Sequence, residues 1–221
     1  MPPELTYTPA AGQHWLTPFY DFGVAVLTRE NRWRSALIEQ VRPRPCEVIV
    51  DVGCGTGSLL VRLGKAAPSA RLIGIDPDPA VLARARKRIV AAGLSAELHI
   101  GFARQVAGLL EGQRPTKVVS SLVFHQVPME EKVAALAAMY TALEVGGELH
   151  IADYGLQRTP LMRALFRAVV QNLDGRVNTA PNARGVLPDL MRAARFRSVE
   201  ETLVIPTISG SISLYRGIRE S

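Results

Sequence analysis

The chain has 221 residues, 48% of them hydrophobic and 21% charged, which suits one sizeable buried core and excludes a disordered, highly charged polypeptide. It shows no basic start followed by an apolar run and no unbroken apolar stretch of about 18 residues, so neither a leader nor a membrane helix is expected, and the expected location is cytoplasmic. The net charge of +6 is concentrated in residues 158–197, where eight arginines face two aspartates, while the rest of the chain balances at 18 basic and 18 acidic residues. An anionic substrate would be drawn to that segment first, or the arginines form a solvated face.

In chain order, residues 1–45 crowd Tyr7, Trp15, Phe19, Tyr20 and Phe22 into an N-terminal helical extension with enough aromatic surface to cover a cleft. Strands are expected at 47–52, 71–75, 96–101, 117–123 and 148–153, with helices at 56–67, 78–92 and 129–144 between them. Asp78 and Pro79 open the second of these helices, Gly93 closes it, and Gly146-Gly147 ends the third. Arg84, Lys87 and Arg88 read as a solvated face of that second helix. The alternation predicts a doubly wound, mostly parallel sheet with helices on both faces. Beyond Asp153 a helix is expected at 159–173, an irregular stretch at 174–188 and a short helix at 189–194. Strand-like runs at 198–207 and 211–218 then predict an antiparallel hairpin at one sheet edge. Cys46 and Cys54 have no third cysteine or histidine cluster to complete a metal set, and both are expected to be reduced.

The most informative stretch is Val48-Ile49-Val50-Asp51-Val52-Gly53-Cys54-Gly55-Thr56-Gly57, an apolar strand entering a glycine-rich turn with a carboxylate at its mouth. Glycine there permits positive φ and close approach of a ligand. A dinucleotide fingerprint counted from Gly53 or Gly55 needs glycine at 58 or 60, and the chain has Ser58 and Leu60. Asp51 would attract an ammonium and repel a pyrophosphate. Asp76 ends the next expected strand, where a carboxylate can accept ribose hydroxyls or cap the following helix.

The pattern Asp51-x-Gly53-x-Gly55-x-Gly57 resembles the first motif of class I S-adenosylmethionine-dependent methyltransferases. With Gly74-Ile-Asp76, Ser120-Ser-Leu-Val-Phe-His125 and Leu143-Glu-Val-Gly-Gly-Glu-Leu-His-Ile-Ala-Asp153, the chain is similar to the small-molecule group of the ubiquinone/menaquinone-biosynthesis type. The resemblance implies a Rossmann-like, seven-stranded α/β sheet with an antiparallel final strand, S-adenosylmethionine as cofactor and a small acceptor. It implies one domain over 1–221, with 156–190 as a lid or substrate insertion. It also implies that Asp51, Gly53, Gly55, Thr56 and Gly57 line the methionyl arm, that Asp76 and Pro77 lie at the ribose, and that Ser121 ends the fourth strand beside the cofactor. Where the group carries Gly-Asp-Ala after the third strand, this chain has Gly101-Phe102-Ala103, so Phe102 is expected against the adenine ring and Ala103 as an amide donor. Lys117, before the fourth strand, and Arg195, in place of a usual glycine, are further departures.

Methyl transfer needs alignment and exclusion of water, and a base only when the nucleophile is protonated. His125 is either that base or a structural histidine before Pro128; Tyr20 either lines the methyl channel or packs among the aromatics. His99 and His150 read as structural, and Cys54 as a filler of the turn or a cofactor contact. Leu161, Met162, Leu165, Phe166, Val169, Val170 and Leu173 give the helix at 159–173 a broad apolar face, suited to a lid over an apolar or aromatic acceptor or to packing on the sheet. A nucleic-acid methyltransferase is the first rival, but the fourth strand runs Ser120-Ser121-Leu122-Val123 and lacks the Asn/Asp-Pro-Pro-aromatic motif, so no nucleic acid is expected. A cofactor-binding protein without transferase activity is the second.

Overall fold

A computed structural model describes residues 29–221. The aromatic cluster of the N-terminal extension, Tyr20 and His14 included, lies outside the described residues.

Seven strands form one sheet: β1 (Val48–Val52), β2 (Arg71–Asp76), β3 (Glu97–Ile100), β4 (Lys117–Ser121), β5 (Glu148–Tyr154), β6 (Arg197–Thr207) and β7 (Gly210–Ile218). Their order is β3-β2-β1-β4-β5-β7-β6, with β1 to β5 parallel, and β7 antiparallel to both β5 and β6. The order reverses between β1 and β4, and a crevice at that switch point is where an open α/β sheet binds its ligand.

Helices cover both faces. One layer holds α1 (Glu30–Val41), α2 (Ser58–Ala66) and α3 (Pro79–Ala91), whose Trp33, Leu37, Leu59, Leu60, Leu63 and Leu82 pack with Ile49 and Leu72. The other holds α4 (Val106–Leu109) and α5 (Met129–Ala142), whose Leu136 and Met139 pack with Val50, Val52, Ile73 and Ile75. Asp51 and the apolar residues Ile49, Val50 and Val52 of β1 are all buried, as a central parallel strand covered on both sides requires. The sequence-level start of α3 is seen in atomic detail: Asp78 accepts from the backbone N–H groups of Ala80 (2.8 Å) and Val81 (3.2 Å), and Pro79 occupies the first turn.

After β5 the helix expected at 159–173 forms, running without interruption through α6 (Pro160–Phe166), a π-helical turn (Arg167–Gln171) and α7 (Asn172–Asp174). The stretch expected to be irregular contains α8 (Arg176–Ala183), despite Pro181 inside it, and α9 (Leu187–Ala193) follows. Pro181 is the sixth residue of α8 and cannot donate to the Val177 carbonyl, and the helix ends two residues later.

Within residues 1–45, α1 is part of the core. Trp33, Leu37 and Val41 are fully buried, and the helix packs on α2, β5 and β7. Trp33→Ala should therefore lower unfolding free energy by about 3–5 kcal/mol in urea titration; a loss below about 1 kcal/mol would make α1 a detachable arm.

Candidate active site

The site is built at the carboxyl ends of β1, β2, β4 and β5. Gly53, Gly55 and Gly57 all adopt left-handed φ (73°, 53° and 76°), so the chain can turn from β1 into α2 within a few residues. A Cβ on Gly53 would stand 2.2 Å from Val123 Cγ2, whereas one on Gly55 would meet nothing within 4 Å. Gly53 is thus needed for packing, and Gly55 faces the open side of the turn. Arg88 of α3 donates to the Thr56 carbonyl (3.2 Å) and hydroxyl (2.6 Å) and bonds the Ser58 hydroxyl, so this arginine pins the loop and does not simply sit on a solvated face.

Asp51 is fully buried, and neither of its carboxylate oxygens has a hydrogen-bond partner among the described residues. Burial raises its pKa to about 7, opposed by the Arg34 charge and reinforced by Asp76. Asp76 is better satisfied: Oδ2 accepts from Gly55 N–H and Oδ1 from Asp78 N–H, each at 3.0 Å. These two bonds pull its pKa down, but the larger effect of burial leaves it raised. Two bonds still leave free lone pairs on the carboxylate. Pro77 follows, half-buried. The Cys54 thiol is free, buried and held in its neutral form by burial, next to the space a Gly74 side chain would fill.

Beyond β3, the Phe102 ring is half-buried and carries the Arg104 guanidinium 4.9 Å from its centroid, while Ala103 packs against the second core layer. Ser121 ends β4, half-buried; its neighbour Ser120 turns inward and donates to the Val52 carbonyl at 2.8 Å. Leu122 then takes a left-handed φ of 56°, strained for a leucine.

That bend delivers the next residues to Asp153, which sequence reasoning recorded only as a strand end. Asp153 accepts from Phe124 N–H (2.7 Å), Tyr154 N–H (2.7 Å) and His125 Nδ1 (2.8 Å). His125 Nε2 lies 3.5 Å from Asp174 Oδ2 of α7, and its ring meets Tyr154 edge-on at 5.0 Å. Burial alone would lower the imidazole pKa, but the two aspartates prevail and hold it at about 9, so His125 is an imidazolium at neutral pH. Lys132 of α5, fully buried, donates to the carbonyls of Phe124, Val127 (2.6 Å) and Asn178 (3.1 Å), and burial brings its pKa down to about 8 against the pull of Asp153. Asn178 returns a bond to the Gln126 carbonyl at 3.0 Å. The β4 loop, the end of β5 and the 156–190 segment are thereby fastened together. Asp153 was findable by the rule that sites gather at strand ends; Lys132, inside an apolar helix, gave no signal.

His150 is buried in β5 between Gln40 and Glu148 (3.0 Å each), a structural placement, whereas His99 is partly exposed beside Glu97. Among the arginines of 158–197, Arg158 pairs with Glu201, Arg192 with Asp189 (2.9 Å), and Arg163 donates to the carbonyls of Gln157 (3.1 Å) and Arg158 (3.0 Å). Part of that positive charge is therefore spent within the fold.

Residues 49–147 match the family model described as a methyltransferase domain. A demethylmenaquinone methyltransferase of Thermus thermophilus is 28% identical over 188 residues, covering 80% of this chain and 82% of the relative. A ubiquinone/menaquinone biosynthesis C-methyltransferase of Syntrophotalea carbinolica is 24% identical over 92% of this chain and 91% of its own. An O-methyltransferase family protein from Burkholderia thailandensis superposes with a TM-score of 0.74 at 20% identity, over 94% of this chain and 61% of that one. These comparisons support a class I S-adenosylmethionine-dependent methyltransferase. The magnesium protoporphyrin IX methyltransferase of Synechocystis, solved with S-adenosylhomocysteine bound, shares this methyltransferase's fold at a TM-score of 0.62 and 18% identity.

The residues present fit the cofactor. An unpartnered buried carboxylate needs a cation, a glycine turn with an open face needs a close-packed ligand, and Asp76 retains lone pairs for hydroxyls.

The His125 cluster yields a pH signature for this methyltransferase. A histidine whose pKa rises from 6.5 to about 9 on folding stabilises fully below about pH 6.5, and that stability is lost as pH rises through 9. Wild type should lose roughly 1.5–3 kcal/mol relative to His125→Gln between pH 6.5 and 9.5, the range of a hydrogen bond to a charged group, by denaturant unfolding. Parallel profiles would mean that His125 is neutral in the fold.

Proposed function

We propose that the enzyme methylates a small, apolar or aromatic acceptor that enters at the carboxyl ends of β4 and β5, against the 156–190 segment. The observation that carries this reading is the apolar surface left open there: Leu161, Leu173 and Val177 are 68%, 59% and 88% exposed, and the last two flank Asp174, the carboxylate that reaches His125. Of the helix running through α6 and α7, Phe166 and Val170 are buried in the core and Val169 packs against it. The relatives' names, which refer to demethylmenaquinone and to ubiquinone/menaquinone biosynthesis, support a quinone-type acceptor.

When bound, S-adenosylmethionine supplies a methyl group already activated on a sulfonium. The chain's task is then to hold and orient. In this reading Asp51 takes the methionyl ammonium, Gly53, Gly55, Thr56 and Gly57 let the backbone close around that arm, and Asp76 with Pro77 receives the ribose. Phe102 and Ala103 border the adenine, and Ser121 stands between donor and acceptor. Because His125 already holds its proton at neutral pH, it positions Asp174 and does not act as a free base; Asp174, the more exposed member, is the group placed to receive a proton from a phenol or carbon acid. Tight fastening of the β4 loop by Lys132 keeps that geometry rigid and excludes water.

Asp76→Ala should weaken S-adenosylhomocysteine binding at least tenfold in calorimetry. A panel of phenolic, quinone and lipid acceptors with methyl-labelled cofactor should give product with one of these classes. Labelling confined to a polar macromolecule such as tRNA would overturn the acceptor assignment.

A further inference from the structure

Among the described residues the sheet ends in two edge strands, β6 and β3, and only one of them is guarded. β6 carries Pro206, and its pairing with β7 shifts register between Arg197 and Glu200 and again between Glu201 and Leu203. Proline and irregular pairing are the means by which an edge is kept from adding another strand. β3, four residues at the opposite edge, has neither, and it pairs with β2 in unbroken register. Gly101 N–H donates to the Asp76 carbonyl at 3.2 Å, so Gly101 faces β2. By the alternation of the strand, Leu98 and Ile100 then turn their N–H and C=O groups to the open edge.

The side chains beside these groups are apolar and uncovered. α3 runs back from the end of β2 to the start of β3, and a groove of about 700 Å³ lies between the helix and the edge strand. Val90 on the helix side and Ile100 on the strand side are 68% and 61% exposed, while Leu82 and Leu98 lie deeper. Arg86 and Lys87 line the same groove; both are exposed and, among the described residues, neither has an ion-pair partner. α3 carries four basic residues and no acidic one, so nothing on the helix offsets them. Glu97, the carboxylate of β3, is held by Arg71 of β2 at 2.7 Å. An occupant of this groove must therefore bring backbone hydrogen-bonding groups, apolar side chains and negative charge.

We propose that the groove takes an extended segment of a partner protein, added beside β3 as an eighth strand, with apolar side chains at positions i and i+4 and an acidic one at i+2. Leu98 and Ile100 supply the main-chain bonds of strand addition, and the groove reads alternate side chains. The spacing follows from α3. Ala83 and Ala91, towards the two ends of its groove wall, are eight residues and about 12 Å apart along the helix, against about 13 Å between strand residues i and i+4. Arg86 and Lys87 stand between those ends, where i+2 falls. A second copy of this chain fits less well, because a two-fold strand pair sets each groove against its copy and brings Arg86 and Lys87 of both chains together. None of the residues assigned to donor or acceptor binding takes part, so the surface can be tested apart from the reaction.

Selection of a randomised, phage-displayed peptide library on the full chain tests the assignment. Enriched peptides should share an acidic residue with apolar residues two positions to either side. A synthetic peptide of the selected sequence should bind in fluorescence polarisation, and N-methylation should abolish binding on one of its two sets of alternate residues and not on the other. Arg86→Glu combined with Lys87→Glu should weaken that peptide at least tenfold, and a peptide with lysine in place of its acidic residue should recover binding to this variant. Ile100→Asp should weaken the original peptide at least tenfold. All three positions are exposed, so the variants should keep the wild-type melting temperature, and the lysine peptide gives a gain of binding that misfolding cannot mimic. Absence of any enriched peptide would overturn the proposal, as would a selected peptide that binds the charge-reversed variant as tightly as wild type. A chain that scatters light as a dimer, and as a monomer with Ile100→Asp, would put a second copy in the groove and overturn the partner assignment.

Discussion

A carboxylate buried without a hydrogen-bond donor among the described residues is the constraint around which this molecule is organised. Asp51 sits in the central strand of the sheet, enclosed by apolar neighbours on both sides, and burial drives its pKa to about 7. Such a group destabilises the fold unless something positive is brought to it. The glycine turn that follows leaves room for that approach. In the proposed reading the ligand's ammonium supplies that charge, and free energy stored in the scaffold is returned on association.

The second organising element lies one strand over. Asp153 collects two backbone amides and an imidazole, the imidazole faces Asp174, and Lys132 gathers three carbonyls from the β4 loop and α8. Each member would be costly alone in the interior; together they compensate and tie three chain segments to one point. In the proposed reading, the donor half of the site would be built from backbone turns and one unpaired charge, and the acceptor half from a satisfied charge cluster. The difference suits their tasks, since one must accommodate a ligand's own charges and the other must hold still.

How much was legible in the sequence follows from where each piece of information resides. Parallel strands buried on both faces leave apolar runs, so β1 to β5 and the hairpin of β6 and β7 were readable within a residue or two. Capping is local, so the start of α3 at Asp78 and Pro79 was readable too. The stretch at 174–188 was not: Pro181 and the asparagines around it read as loop, while tertiary ties from Asn178 and Asn182 to the Gln126 and Tyr154 carbonyls (3.0 and 3.2 Å) hold α8 in place. Asp51, the glycines and Asp76 could be found because a motif has fixed spacing. Lys132 could not, because it acquires its partners only when distant segments are brought together: it donates to the carbonyls of Val127 and Asn178. Arg88 looked like surface charge for the same reason.

The central claim is that Asp51 waits, unpaired, for a cation. The direct measurement is its titration, by NMR of carbon-13-labelled aspartate side chains with Asp51→Asn for assignment, in the free protein and with S-adenosylhomocysteine. The account predicts a pKa near 7 in the free chain and a fall of at least two units, to below about 5, when the ligand's ammonium arrives. A free-state value near 4, unchanged by the ligand, would contradict it.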